Sequence, residues 1–180
     1  MHEHNDDRQQ MALYTAAHAV AEAQYGDPFE RVAIHEGTPQ WLEREDSLDW
    51  KTREQAEKVL IRLSVGLAVA ESGPATLHSQ AYVMRDTQKR RDHLRKLYPD
   101  GQLDELESEW TKRAETFLSE PSNARALKLI TDDLLVYGWL RMEEIDFLID
   151  AAQGDADALE ALAQFRKLYD VIPVTWPDDT

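Results

Sequence analysis

The 180-residue chain contains no cysteine. Without cysteine there can be no disulfide framework, no thiolate nucleophile and no zinc site with thiolate ligands. Glycine is also scarce, and because the seven glycines stand singly, no glycine-rich loop is available to bind a phosphate group. The absence of cysteine fits a reducing compartment, and the predicted location is cytoplasmic.

Long apolar segments are missing as well. The longest weakly charged stretch, LSVGLAVAESGPATLHSQAYVM, contains Glu71 and the helix-breaking pair Gly73-Pro74, so it does not predict a membrane span. The polar, acidic start MHEHNDDRQQ predicts no secretory signal, which would need a basic region followed by an apolar run. The predicted partners therefore do not include a membrane.

Positive charge is in short supply. The chain has 35 acidic and 20 basic side chains, which gives a net charge of −15 at pH 7. Residues 99–180 hold 19 acidic and 7 basic side chains, so this half alone carries −12. Such a surface argues against general nucleic-acid binding. The simplest use of the charge is solubility, while a basic protein partner and mimicry of a nucleic acid stay open. The basic segment RDTQKRRDHLRK, residues 85–96, is predicted to pair with this acidic half.

The apolar pattern predicts a mostly α, single-domain helical bundle of about six helices with one short β element. Predicted helices cover about 6–25, 52–71, 77–97 and 103–118, then two helices within 119–153 and a last one after Asp155. The segment WLRMEEI is expected to begin the second helix of that pair. FERVAIH predicts the strand, and the loop after it is expected to supply a partner strand. Residues 1–5 are expected to be disordered, 6–170 to form the domain and 171–180 an extended acidic tail.

Two segments, in this order, resemble a known family. AAHAVAEAQYGDPFERVAI, residues 16–34, places His18 on a helix that is followed by a glycine, a proline-containing turn and a Val-x-Ile strand. ALKLITDDLLVYGWLRMEEIDFLI, residues 126–149, has the pattern A..LL...G.L...EI..LI. Together they resemble the FtsH-type metallopeptidase domain, which implies a zincin-like helical fold.

The resemblance also implies a zinc site, from which this chain departs. In the motif HExxH, two histidines on one helix face bind zinc and the glutamate is the general base. Here the motif is reduced to Tyr14-Thr15-Ala16-Ala17-His18, so the first ligand and the base are replaced. Asp86 is the nearest candidate for the family's third, acidic ligand. The resemblance therefore implies a non-catalytic domain, and neither a catalytic residue nor a cofactor is predicted.

A rearranged metal site stays open as an alternative. His18 and Glu22 share a helix face with Tyr14, and His35 or Asp86 could complete a set of ligands for zinc. Such a site would suit a metal-dependent hydrolase, which is the least favoured function. The other interpretation is a half-buried His18 that is satisfied by hydrogen bonds beside a Tyr14 in the core.

The favoured function is an intracellular binding or regulatory module that is metallopeptidase-like and non-catalytic. The alternative is an acidic inhibitor or nucleic-acid-mimicking protein of a mobile element, which occupies a basic site on its target. In both cases the partner is predicted to be a protein, without direct nucleic-acid contact. The predicted contact residues are tryptophans in loops or tail and carboxylates near helix ends: Trp41, Trp50, Trp176, Asp132, Asp133, Glu143 and Glu144. The sequence assigns no oligomeric state.

Overall fold

The computed structural model describes residues 2–26, 29–34, 40–42, 50–70 and 77–176. In chain order its elements are α1 (His2–Tyr25), β1 (Arg31–Ala33), β2 (Gln40–Leu42), α2 (Arg53–Ala70), α3 (Leu77–Leu97), α4 (Leu103–Ser119), α5 (Pro121–Tyr137), β3 (Trp139–Arg141), α6 (Met142–Gln153) and α7 (Ala158–Leu168). The prediction of a mostly helical fold is confirmed. Among the residues described, no helix combines the length and apolar character needed to cross a bilayer.

Helix α1 forms the centre of the core. It packs against α2 and α5, while α6 packs against α5 and α7. Small side chains let helices approach closely on more than one side. Five of the buried positions of α1 are alanines: Ala12, Ala16, Ala17, Ala19 and Ala21. This composition explains why a helix with polar ends can lie within the bundle.

The β element is a small antiparallel sheet with β1 in the middle. Val32 of β1 lies opposite Trp41 of β2 and Leu140 of β3. The partner expected in the loop after β1 is β2. The third strand was not predicted, because its residues were assigned to the start of the next helix. Gly138 ends α5 with φ of 72°, and its carbonyl accepts a 2.8 Å hydrogen bond from Ile34 N, so the chain extends along β1 before α6 begins.

The helix boundaries agree closely with the sequence pattern except at the start. Helices α2, α3 and α4 begin and end within one residue of their predicted limits. Helix α1 already begins at His2 and includes residues 2–5, which the sequence assigned to a disordered terminus. No proline or glycine precedes Asp6 to stop the helix, so it continues beyond the expected cap.

Candidate functional site

Three side chains at the positions of the expected metal ligands meet in the core. Tyr14 and His18 lie one turn apart on α1, with ring centroids 4.7 Å apart, and Asp86 belongs to α3. The Tyr14 hydroxyl donates a hydrogen bond to Asp86 Oδ2, and His18 Nε2 lies 3.3 Å from the same oxygen. All three side chains are buried. We call them the tyrosine–histidine–aspartate cluster.

The electrostatics of this cluster favour a charged Asp86. Burial would raise the pKa of its carboxyl group, but the contact with His18, the hydrogen bond from Tyr14 and the charge of Arg85 outweigh burial and hold this pKa below its usual range. Asp86 is therefore a carboxylate at neutral pH. Because the Tyr14 hydroxyl keeps its proton in order to donate a hydrogen bond to this carboxylate, Tyr14 is a phenol here and not an anionic metal ligand.

Helix α2 closes the cluster through Gly66. A Cβ atom at this position would lie 2.5 Å from Tyr14 Cε2 and 2.7 Å from His18 Nε2, so no larger residue fits without a shift. Sequence reasoning missed Gly66, although a glycine inside an apolar helix is a signal of close packing. Thr15, at the position of the expected general base, is also completely buried.

The candidate ligands of the rearranged metal site do not form one group, because His18 and Glu22 interact with different residues. Glu22 does not join His18, because its Oε1 accepts a 2.7 Å hydrogen bond from Arg62 Nε on α2. His35, the further candidate, lies outside the described residues. Within the described ranges, no three histidine, aspartate or glutamate side chains are close enough to hold a metal ion. That the chain has no metal cofactor stays a prediction.

The tryptophans proposed as partner contacts make contacts within the chain. Trp50 Nε1 donates a 3.1 Å hydrogen bond to His93 Nδ1. Trp176 Nε1 donates a 2.8 Å hydrogen bond to the carbonyl of Leu135, and its ring lies 4.7 Å from the Arg8 guanidinium. The Trp41 side chain lies outside the described part of the chain. Both described indoles are half-buried and cover the ends or flanks of helices.

Two of the proposed acidic contacts pair with one half-buried arginine of the same chain instead. Arg166 on α7 lies 2.7 Å from Asp133 and 2.8 Å from Glu144, and it stacks on the Tyr137 ring at 4.1 Å. Glu144 was expected on a solvated helix start, but it has no exposed surface. Its Oε2 also accepts the Arg141 N–H at 3.1 Å at the start of α6. No local pattern indicates this contact, because Arg166 lies 22 residues after Glu144 in the sequence. We call Arg166, Asp133 and Glu144 the arginine cluster.

The other two proposed acidic contacts stay at the surface. Asp132 is exposed and pairs with Lys128 at 2.6 Å, one turn earlier on α5. Glu143 is exposed, and it lines a cavity of about 550 Å³ together with Phe29, Arg31 and Arg141. Of the four predicted carboxylates, only Glu143 is both exposed and without an ion pair to a described residue.

The basic segment on α3 is used mainly for pairing within the chain. Arg91 Nε lies 2.8 Å and Arg90 Nη2 3.4 Å from Glu107 Oε1 on α4. Arg95 lies 3.3 Å from Asp92, one turn earlier on α3. The predicted pairing with the acidic half is therefore present at Glu107, and it joins α3 to α4.

Comparisons with models of protein families and with curated proteins give no significant match to this chain. The relation to a metallopeptidase domain therefore depends on the residues themselves. It stays a proposal that rests on the tyrosine–histidine–aspartate cluster and the sequence pattern around it.

Proposed function

We propose that this chain is a non-catalytic relative of the FtsH-type metallopeptidase domain and acts as an intracellular binding module. One observation carries the proposal. The residues at the three positions of the expected metal ligands, Tyr14, His18 and Asp86, meet around a single carboxylate oxygen. Tyr14 and Asp86 are 72 residues apart in sequence, so a local pattern alone would not bring them together.

The local order of elements gives further support. Helix α1 carries Tyr14 and His18, and strand β1 follows it at the Val-x-Ile segment. This is the order of elements that the resemblance to the metallopeptidase domain implies. The site is then completed by α3 through Asp86. A degenerate metal site would have this arrangement if the substitution at position 14 replaced a metal–ligand bond by a hydrogen bond between side chains.

The same residues argue against hydrolysis. A general base must accept a proton near neutral pH, and the hydroxyl of Thr15 cannot do so. A substrate also needs an open cleft, whereas the cluster is buried and the backbone of α2 at Gly66 lies against it. The helices and strand of such a scaffold would then serve to hold a binding surface.

A second candidate is the acidic inhibitor or nucleic-acid mimic. It is favoured by a row of exposed carboxylates on α6, namely Glu143, Asp146 and Asp150, which make no ion pair with a described residue. This candidate predicts that proteins captured by the chain are basic and are released by salt. Capture of neutral partners that resist salt would contradict it.

Zinc titration tests the first candidate. Untagged wild-type protein is compared with Tyr14→His by isothermal titration calorimetry. If position 14 is a lost ligand position, the wild type takes up no stoichiometric zinc. Tyr14→His is expected to bind one zinc per chain, because two histidines four residues apart then face Asp86.

The control is the same variant with His18→Ala, which should lose the acquired zinc while its far-UV circular dichroism stays helical. Failure of folded Tyr14→His to bind zinc would contradict the proposed ancestry. If the wild type binds stoichiometric zinc and His18→Ala does not, the proposed absence of catalysis is contradicted. The metal-dependent hydrolase would then be the favoured function.

A further inference from the structure

The outer surface of the α6–α7 hairpin carries an apolar patch. Phe147 of α6 and Phe165 of α7 have ring centroids 5.9 Å apart, and the ring of Tyr169 follows at 4.6 Å from Phe165. Leu168 lies one turn after Phe165 and is 76% exposed, while Tyr169 is 52% exposed. We call Phe147, Phe165, Leu168 and Tyr169 the aromatic patch. Few apolar side chains of the described chain are as exposed as Leu168.

Carboxylates border this patch along α6. Glu143 precedes Phe147 by four residues and Asp150 follows it by three, so both flank Phe147 on the helix surface. Asp146 lies between them, and burial together with the charges of Asp150 and Glu143 raises its pKa. In this structure the three carboxylates form no ion pair with a described basic side chain.

The α6–α7 hairpin as a whole is also negatively charged. Residues 142–170 contain eight acidic and two basic side chains. One of the two bases, Arg166, is already held by Asp133 and Glu144. The other, Lys167, is exposed and is the next residue of α7. Arg141, which precedes α6, stacks on Tyr169 at 4.9 Å. The free charge around the aromatic patch is thus strongly negative along its α6 side.

We propose that the aromatic patch and its bordering carboxylates are the docking site for a basic amphipathic helix of a partner protein. Two packed helices leave a groove between them, and an amphipathic helix buries its apolar face in such a groove. Lysine or arginine side chains beside that face would meet Glu143, Asp146 and Asp150. The inference rests on the proposed binding role and names the chemistry of the partner.

The negative charge of this surface argues against other occupants of the docking site. A second copy of the chain would bring another net charge of −15 to this surface. An anionic membrane or a nucleic acid would also be repelled by the carboxylates. A cationic helix gains from the same field, which accelerates its association and makes it sensitive to salt.

The test uses a fluorescein-labelled synthetic helix of leucine and lysine with an apolar stripe at i, i+3, i+4 and i+7 spacing. Binding to the full chain is followed by fluorescence anisotropy at several salt concentrations. Wild type should bind this helix more tightly than a matched leucine–glutamate helix or a scrambled leucine–lysine peptide. Leu168→Ser is expected to weaken binding about tenfold. The triple variant Glu143→Gln, Asp146→Asn, Asp150→Asn should weaken it at low salt and flatten its salt dependence.

Matched controls lie on other helices. Met84 on α3 is 72% exposed, so Met84→Ser removes a comparable apolar surface, and Glu115→Gln removes an exposed carboxylate of α4. Both should bind as the wild type does. Equal losses in Met84→Ser and Leu168→Ser, absence of wild-type binding, or equal binding of the glutamate helix would overturn the proposal. So would a dimer in sedimentation that only Leu168→Ser disrupts. None of these outcomes changes the zinc titration of Tyr14→His, which tests the core cluster.

Discussion

The arginine cluster and the tyrosine–histidine–aspartate cluster hold their carboxylates in different ways. In the arginine cluster, Arg166 supplies a permanent cation to Asp133 and Glu144. In the tyrosine–histidine–aspartate cluster, Asp86 is met by a phenol and an imidazole. The first is one cation shared by two carboxylates, and it joins α5, α6 and α7. The second keeps the oxygen and nitrogen groups that bind metals but satisfies them with each other.

The two clusters should contribute to stability to different degrees. Removing the arginine of the arginine cluster would leave two carboxylates without a cation, and removing a buried carboxylate breaks charge-assisted hydrogen bonds. A carboxylate held by hydrogen bonds loses less when it is replaced by a neutral side chain of the same shape. We therefore expect stability to depend more on the arginine cluster, and the chemistry at the core to depend on the other one.

The largest effect is expected for Glu144→Ala. The substitution leaves the Arg166 guanidinium with one carboxylate and removes the acceptor of the Arg141 N–H at the start of α6. Two hydrogen bonds to a fully buried carboxylate are lost, so the free energy of unfolding should fall by about 3–5 kcal/mol. Urea unfolding followed by far-UV circular dichroism measures this change.

The control for that variant is its neighbour Glu143→Ala. Glu143 is exposed and makes no ion pair with a described residue, so its removal should change the unfolding free energy by about 0.5 kcal/mol or less. Equal losses in the two variants would mean that burial of Glu144 contributes nothing, and the contrast between the clusters would fail.

A smaller effect is expected where α2 lies against the tyrosine–histidine–aspartate cluster. In Gly66→Ala the new methyl group would lie 2.5 Å from Tyr14 Cε2, so the rings or α2 must shift. The unfolding free energy should fall by about 1–3 kcal/mol, although alanine favours the helix over glycine. The measurement is again the urea transition.

The partner of the clash can be identified by a double-mutant cycle. In a Tyr14→Ala background the ring is gone, so Gly66→Ala should cost less than it does in the wild type. An unchanged cost would show that Tyr14 and Gly66 are not in contact, and the closed form of the cluster would be wrong.

The sequence predicted the helices well because their signals are local. Apolar spacing and the breakers around Gly73-Pro74 and Gly101 define α2, α3 and α4 within their own segments. Strand β3 was missed because Trp139 and Leu140 also fit the start of a helix. Its pairing with β1 depends on residues more than a hundred positions earlier. Local patterns cannot report such a contact.

The candidate site divides in the same way. Tyr14 and His18 are one turn apart, so the helical period alone places them together, and the family pattern pointed to Asp86. Other contacts depend on how separate helices pack, and the sequence pattern does not report them. Examples are the pairing of Glu22 with Arg62 and that of Glu144 with Arg166. Charged residues near a helix start look the same in sequence whether they meet solvent or a distant arginine. Exposure is therefore what the sequence could not supply.

The smallest effect, and the most direct test of the hydrogen-bonded carboxylate, is the pH dependence of Asp86→Asn. The pKa of Asp86 is lower in the folded chain, since His18, Tyr14 and Arg85 outweigh the opposing effect of burial. Its contribution to stability is therefore present above the unfolded pKa, near 4, and is lost as pH falls through the folded pKa. Asp86→Asn should cost about 1 kcal/mol at neutral pH and show a shallower loss of stability in acid than the wild type.

The control is Asp104→Asn, on the exposed side of α4, which should keep the wild-type acid profile. If Asp86→Asn and the wild type lose stability in parallel below pH 4, the carboxylate is not held in its charged form and the contrast with the arginine cluster rests on burial alone.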